Sequence, residues 1–477
     1  MKGIFYASFT FLLSPIARAA TIDVTTTSDE IKLGDCSLRE AIIAANTDTA
    51  TTGCPAGSGS DVINIPAGTY TLYMGGTDED AAATGDLDIT GDVTLTGAGE
   101  TTTIINGNGI DRVFQIIHAN VMITNLQITG GRTAADDGGG IYAGPYSTVT
   151  LTGSTISGST SGEYYGGGIS AYGYSTVMLN QTTVSGNTAG PGGSGIFASS
   201  STVTLTGSTV SGNTATEGTG GIYAYNSSTV TLTDSTISGN QASHDGGGIS
   251  ASDSTVTLTN STISGNQASE NGGGIYAVAG STITMNHSTV SGNTVDGDSS
   301  SGGGIYAYSS IATLTNSTIS GNQASHDGGG ISAYASATVG LYNVTLANNT
   351  AGAGGGGIYG NGFYVRNTLI ADNSSDCAGT IDYLTYSLIT DTTNCTITSG
   401  TAITGPAYLS PLGNYGGTTQ THKPKPISPA IDGGDPSGCK TASGHTINKD
   451  QRGHPRHFDG NGDGTAVCDM GAYEKSL

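Results

Sequence analysis

The stretch "GGGISASDSTVTLTNSTISGN" at residues 246–266 holds three short alternating runs. Ile249 and Ala251 share one face of the first run, Val256 and Leu258 the same face of the second, and Ile263 marks a third. A period of two is that of a β-strand, and Gly, Ser, Asn and Asp at the run boundaries are turn residues. Strands this short bury too little apolar surface to stand alone. The unit must therefore stack on copies of itself.

Copies lie on both sides. A glycine-containing run before an isoleucine recurs with Ile141, Ile169, Ile196, Ile222, Ile249, Ile275, Ile305, Ile331 and Ile358, at intervals of 28, 27, 26, 27, 26, 30, 26 and 27 residues. Stacked in register, such units predict an all-β, right-handed parallel β-helix with three short strands per coil, roughly 27 residues per coil and about 4.8 Å between coils. Upstream, "DVINIPAGTYTL", "GDLDITGDVTLTGAG" and "VFQIIHANVMITNLQITGG" keep the alternation without the glycines, as do "GFYVRNTLIADNSS" and "IDYLTYSLIT" downstream. The helix is expected over 61–400, with its repeats centred on 138–360 and about thirteen coils in a rod on the order of 60 Å long.

Stacking turns recurrence into columns. Asn187, Asn213, Asn240, Asn266, Asn293, Asn322 and Asn349 hold equivalent places in seven coils. They are expected at a tight corner, where Asn tolerates left-handed backbone and stacked amides bond along the axis.

Composition narrows the function classes. The 477 residues include 78 Gly and no Trp, only 11% are charged, and the net charge is −23. No Lys or Arg occurs between Arg132 and Arg366. Nucleic acid is excluded as a partner, because displacing counterions from phosphates needs clustered cations.

Residues 1–20, "MKGIFYASFTFLLSPIARAA", read as a secretory signal peptide, with Lys2, an apolar stretch from Ile4 to Leu13, and a small-residue cleavage site at Ala17-Arg18-Ala19. No later segment is apolar enough to span a bilayer. The six cysteines fall as three local pairs: Cys36 with Cys54, Cys377 with Cys395, and Cys439 with Cys468. In an exported chain an even count favours disulfides, and sequential pairing is expected because none lies in the long middle. At 21–60, "CSLREAIIAAN" offers Ser37 and Glu40 as a capping box with Leu38, Ile42 and Ala45 on one helical face, a short helix lying over the first coil.

Two stretches carry a family likeness. "CSLREAI" at 36–42 resembles the N-terminal signature of bacterial CSLREA-domain proteins. In the tail, taken as a C-terminal cap at 401–477, "SPAIDGGD" at 428–435, "DQRGHPR" at 450–456 and "CDMGAYE" at 468–474 resemble the choice-of-anchor Q domain. The "SGN…GGGI" units are similar to the β-helical passengers of polymorphic outer-membrane proteins and, more loosely, to the pectin-lyase-like fold. The resemblance implies a secreted or surface-displayed, adhesin-like β-helix with no established activity.

Candidate chemistry is sparse. A lyase acting on an acidic polysaccharide needs a cationic base, which residues 133–365 lack. Acids at Asp136, Asp137, Glu163, Glu217, Asp245, Glu270, Asp296, Asp298 and Asp327 fall in loops before the glycines and read as solvated turns. The string "NQASHDGGGISA" occurs at 240–251 and again at 322–333, so His244-Asp245 and His326-Asp327 read as a copied block, not a catalytic pair.

Three surfaces could engage a ligand. The residue after each ladder isoleucine points outward, giving Tyr142, Phe197, Tyr223, Tyr276, Tyr306 and Tyr359, with serines between, as a candidate carbohydrate strip. Paired threonines at Thr148/Thr150, Thr202/Thr204, Thr229/Thr231, Thr255/Thr257 and Thr282/Thr284 form a grid of the kind that binds ice, interrupted by Met178 and Gly340. Asp459, Asn461 and Asp463 before Gly464 open like a Ca2+ loop, although Met470 stands where an EF-hand would close with Glu. The reading is a non-catalytic scaffold with glycans or a host or cell-surface protein as partner. A carbohydrate-active protein comes second and ice binding a distant third.

Overall fold

The computed structural model describes residues 19–76 and 79–476; residues 1–18, which hold the apolar stretch of the expected signal peptide, lie outside them. The chain winds as a right-handed parallel β-helix whose strands form sheets of 25, 13 and 9 members. First and second strands of each coil share the largest sheet, because Ile358–Arg366 and Cys377–Thr385 each run through both positions. Third strands such as Thr262–Ser264 make the 13-stranded sheet. A fourth strand of two residues, such as Gln267–Ala268, builds the smallest. Two residues carry no visible alternation, which is why the sequence concealed it.

Register confirms the columns. Ile249 pairs with Ile222 and Ile275, Val256 with Val230 and Ile283, and Ile263 with Ile237 and Val290. All nine side chains are buried in one core. Each contributes about 1.5–3 kcal/mol relative to exposure.

The asparagine column holds, but its place differs. Left-handed backbone at this corner belongs to the preceding glycines, including Gly186, Gly212, Gly239 and Gly265 at φ 62°, and to Asn348 at φ 59°. The ladder asparagines point inward, fully buried. From Asn187 to Asn349 each side-chain amide donates to the Oδ1 of the next at 2.9–3.0 Å, ending on Asn373. Glycine takes the strained φ because it lacks a Cβ, which frees the amide to face the core.

The glycine runs are steric. Gly246 sits at φ 70°, and a Cβ there would lie 2.8 Å from the Ser250 Cβ. A Cβ on Gly247 would lie 2.5 Å from the Gly273 carbonyl oxygen. Adjacent coils therefore pack backbone on backbone, and each run folds over the outward residue of its first strand.

The N-terminal helix, Leu38–Thr47, carries the expected capping box between Ser37 and Glu40, and Leu38, Ile42 and Ala45 join the core. Arg39 is also fully buried. It pairs with Asp29 at 2.6 Å and donates to the carbonyls of Ala82, Gly85 and Asp86. Burial works to raise the Asp29 carboxyl, but Arg39 and the amides of Met74 and Tyr73 hold it below its ordinary value.

All three expected disulfides are present, with Cα separations of 4.7, 5.5 and 5.8 Å. The tail turns back along the flank of the rod. Thr318 Oγ1 donates to Gln451 Oε1 at 2.6 Å, Gln451 Nε2 donates to Thr289 Oγ1 at 2.9 Å, and Arg456 Nη2 donates to Asn316 Oδ1 at 2.7 Å. Thr262, Thr289, Thr318 and Thr345 are one column; the last three are fully buried and each bonds to the tail. No helix among the described residues is long and apolar enough to cross a membrane.

Candidate functional site

The outward column of the first strands runs Asp88, Gln115, Tyr142, Ser170, Phe197, Tyr223, Ser250, Tyr276, Tyr306, Ser332 and Tyr359. The six aromatic residues expected on one strip do share this column, yet they do not form one open surface. Phe197 is buried, the tyrosines are half-buried, and the intervening serines are covered. The glycine runs cause this by folding over the column. Burial also pushes the Tyr223 hydroxyl up to about 12.

Stacking divides the column into blocks. Tyr165, five residues before Ser170, stacks on Phe197 at 4.3 Å, and Phe197 meets Tyr223 at 5.6 Å. Beyond Ser250, Tyr276 stacks on Tyr306 at 5.4 Å, while Tyr334 fills the gap left by Ser332 between Tyr306 and Tyr359. Sequence periodicity missed Tyr165 and Tyr334, because both sit off the repeated position.

At the N-terminal end of the column an acidic recess of about 440 Å³ opens. Its walls come from the loop at 79–86, held by Arg39, and from Asp111, Arg112, Asp136, Asp137, Tyr142 and Tyr164. Arg112 Nε pairs with Asp86 Oδ2 at 2.7 Å, its Nη2 with Asp136 Oδ2 at 3.2 Å, and its guanidinium lies 5.5 Å from the Tyr142 ring centre. One cation faces several carboxylates. Burial pushes Asp86 up to about 8, against the pull of Arg112 and with help from Asp88 and Asp111.

Asp88, fully buried one coil before Gln115 on the column, is pushed up to about 7 by the same desolvation. Its Oδ2 accepts the Ala82 amide at 2.9 Å, whereas its Oδ1 has no hydrogen-bond partner among the described residues. Burial likewise raises Asp137.

The sequence hid this recess because Asp86, Asp111 and Arg112 lie outside the glycine-marked repeats. The available signal was Asp111-Arg112, an acid beside a base, upstream of an aromatic column. Three acids read as solvated turns have further partners, although Asp136 does lie in an exposed turn. Asp136 and Asp137 line the recess, and Asp327 is buried, accepting from Tyr334 Oη at 3.2 Å and facing His326 Nδ1 at 2.8 Å.

The duplicated His-Asp pairs are used differently. His244 bonds the Glu217 carbonyl while Asp245 accepts from Asn271. Identical letters meet different neighbours, so neither copy builds a shared constellation. The threonine grid is in register, with Thr148, Thr176, Thr202, Thr229, Thr255 and Thr282 in one column, but an exposed Ile311 follows. Asp459, Asn461 and Asp463 come together as a turn, where Asp459 Oδ1 and Oδ2, Asn461 Oδ1 and Asp463 Oδ1 accept backbone amides within residues 462–465.

Residues 139–310 match the family model described as the right handed beta helix region, and 316–334 match the Chlamydia polymorphic membrane protein repeat. No curated protein matches the chain at a significant level. Among solved structures, the chain is similar to pectate lyase Pel9A at 12% identity and a TM-score of 0.40, covering 97% of this chain and 98% of that one. It is similar to the A-module of the Azotobacter vinelandii mannuronan C-5 epimerase AlgE6 at 16% identity and a TM-score of 0.39, covering 77% and 95%.

Proposed function

We propose that the chain is a secreted or surface-displayed β-helical scaffold of the adhesin type, binding glycans or a cell-surface protein along its length. The observation that carries this reading is the fate of the repeated residues. The asparagines, glycines and ladder isoleucines serve coil-to-coil contacts, and the one repeated His-Asp pair is engaged differently in its two copies. A repeat built this way supplies length and surface. The disulfides, the polymorphic membrane protein repeat and the likeness of "CSLREAI" and the tail motifs to CSLREA and choice-of-anchor Q proteins support an extracellular setting.

A second reading, a carbohydrate-active protein, is favoured by one specific arrangement. Asp86, paired with Arg112 at 2.7 Å, stands with Asp111, Asp136 and Asp137 at the head of the aromatic column. A binding screen against cell surfaces and a glycan array, run beside product assays on pectin, alginate and chitin-type polymers, separates the two. Binding without turnover supports the scaffold; turnover abolished by Asp86→Asn, at an acid that lines the recess, supports the second reading. A Ca2+ ion at Asp459, Asn461 and Asp463 belongs to the same proposal, and a melting temperature indifferent to chelator would remove it.

A further inference from the structure

The corner between first and second strands is turned by a residue at positive φ in successive coils: His118, Tyr146, Tyr174, Ser200, Asn226 and Asp253. Bulky L side chains are strained in that region, whereas Asn, Asp and Gly tolerate it best. Three consecutive coils nonetheless place rings there. His118 and Tyr146 stack at 6.3 Å with planes 21° apart, and Tyr146 and Tyr174 at 5.7 Å with planes 18° apart. Tyr146 and Tyr174 are 68% and 71% exposed, so core burial does not offset the strain.

The ring column stops at Tyr174. The next two coils carry Ser200 and Asn226 at this corner, and a recess of about 340 Å³ opens there, lined by Tyr174, Ser200, Ser201, Thr202, Asn226 and their neighbours. One face of Tyr174 is covered by Tyr146, which leaves the other toward this recess. The lining carries hydroxyls and one amide and no charged side chain, in a chain of net charge −23. A metal ion would find no carboxylate among these residues. An anionic sugar would find no cation, since none occurs between Arg132 and Arg366.

We propose that this corner is a subsite for a neutral sugar ring, its C–H face stacked on the free face of Tyr174 and its hydroxyls bonded by Ser200, Thr202 and Asn226. Aromatic platforms flanked by a few polar groups hold amphipathic ligands in this way, and the recess lies at the small end of ligand sites, about 300–1,000 Å³. The subsite lies on a corner, apart from the half-buried column of Phe197 and Tyr223. It deepens the scaffold reading by naming a ligand class, and rests on that reading for its purpose.

The test is saturation-transfer NMR on the full chain with cellotetraose, mannotetraose and xylotetraose as neutral probes and tetragalacturonate as the anionic one. At least one neutral probe is expected to receive saturation at its ring C–H protons. Tyr174→Asn is expected to weaken that binding at least tenfold without lowering the melting temperature, because Asn fits the positive φ. Tyr276→Ala is expected to leave it intact. Absence of transfer to every neutral probe, transfer undiminished in Tyr174→Asn, or preference for tetragalacturonate would overturn the subsite. A chain that binds a neutral probe at Tyr174 but no cell surface would instead overturn the scaffold reading alone.

Discussion

The side-chain amide of Asn240 donates to Oδ1 of Asn266 at 2.9 Å, and the backbone N–H of Asn240 donates to the same oxygen at 3.0 Å. One buried oxygen thus satisfies two donors from the preceding coil, while the Asn266 amide reaches back to the Ile237 carbonyl at 3.1 Å. Asn266→Ala would remove the acceptor of the Asn240 N–H and the side-chain donor to the Ile237 carbonyl, and would leave the Asn240 amide only the Val210 carbonyl at 3.1 Å. The expected cost is about 2–4 kcal/mol. Hydrogen exchange should show protection falling first in the coils around 237–266 and little change near the helix at Leu38–Thr47; uniform loss, or none, would contradict the ladder's role.

Glycines in one coil differ sharply in tolerance. At Gly247 a Cβ would meet backbone oxygens at 2.5 and 2.6 Å, and neither can withdraw without separating coils. Gly247→Ala is expected to lower the melting temperature strongly. At Gly265, φ 62°, nothing lies within 4 Å, and Asn348 already occupies the equivalent corner. Gly265→Asn is therefore expected to fold with a melting temperature close to that of the parent.

Stability should fall as pH rises. Burial holds Asp86 at about 8 and Asp88 and Asp469 at about 7, against an ordinary 3.8. Between 3.8 and those values the folded chain binds protons that the unfolded chain has released, so this stabilisation is complete below that range and is lost through about pH 7–8. Burial lowers His287 and His422 below the ordinary 6.5, which acts in the opposite sense below that pH, so thermal melts are expected to show a higher melting temperature at about pH 6.5 than at pH 8.5. Asp88→Asn, which imitates the protonated acid, should flatten part of that slope; an unchanged slope would place its titration elsewhere.

The tail depends on Gln451. Its amide and carbonyl bridge Thr289, Thr318, Thr419 and Gln420 at 2.6–3.0 Å, buried between tail and rod. Gln451→Ala is expected to cost about 2–3 kcal/mol locally. Limited proteolysis should then release fragments of 401–477 while the coils stay intact, with the parent resistant under the same conditions.

Much of the fold was legible because a period-two pattern repeated at near-constant spacing admits few architectures. Ile249, Val256 and Ile263 each announced a column, and each column exists. The capping box and the three cysteine pairs were equally local signals. What escaped depends on neighbours in space. The left-handed residue was Gly265, not Asn266, because handedness depends on which of two turn residues lacks a Cβ. Phe197 is buried although its face was correctly read as outward, because the glycine run that folds over it belongs to the preceding loop.

The recess escaped for the same reason. Asp86 and Arg112 are ordinary letters 26 positions apart in sequence, and only coil stacking brings them together. Motif residues in the tail offered the opposite lesson. "DQRGHPR" and "CDMGAYE" look like a site, yet Gln451, Arg456 and Glu474 are buried in contacts that fix the tail to the rod and to itself.

A parallel assay of retention and turnover on insoluble and soluble polysaccharides tests the scaffold account most directly. Purified chain is incubated with pectin, alginate and chitin-type polymers and with cell surfaces, while bound protein and released product are both measured. The account predicts retention on at least one surface with no product above the blank. Product formed by the parent and lost in Asp86→Asn would contradict it and make the acidic recess a catalytic centre.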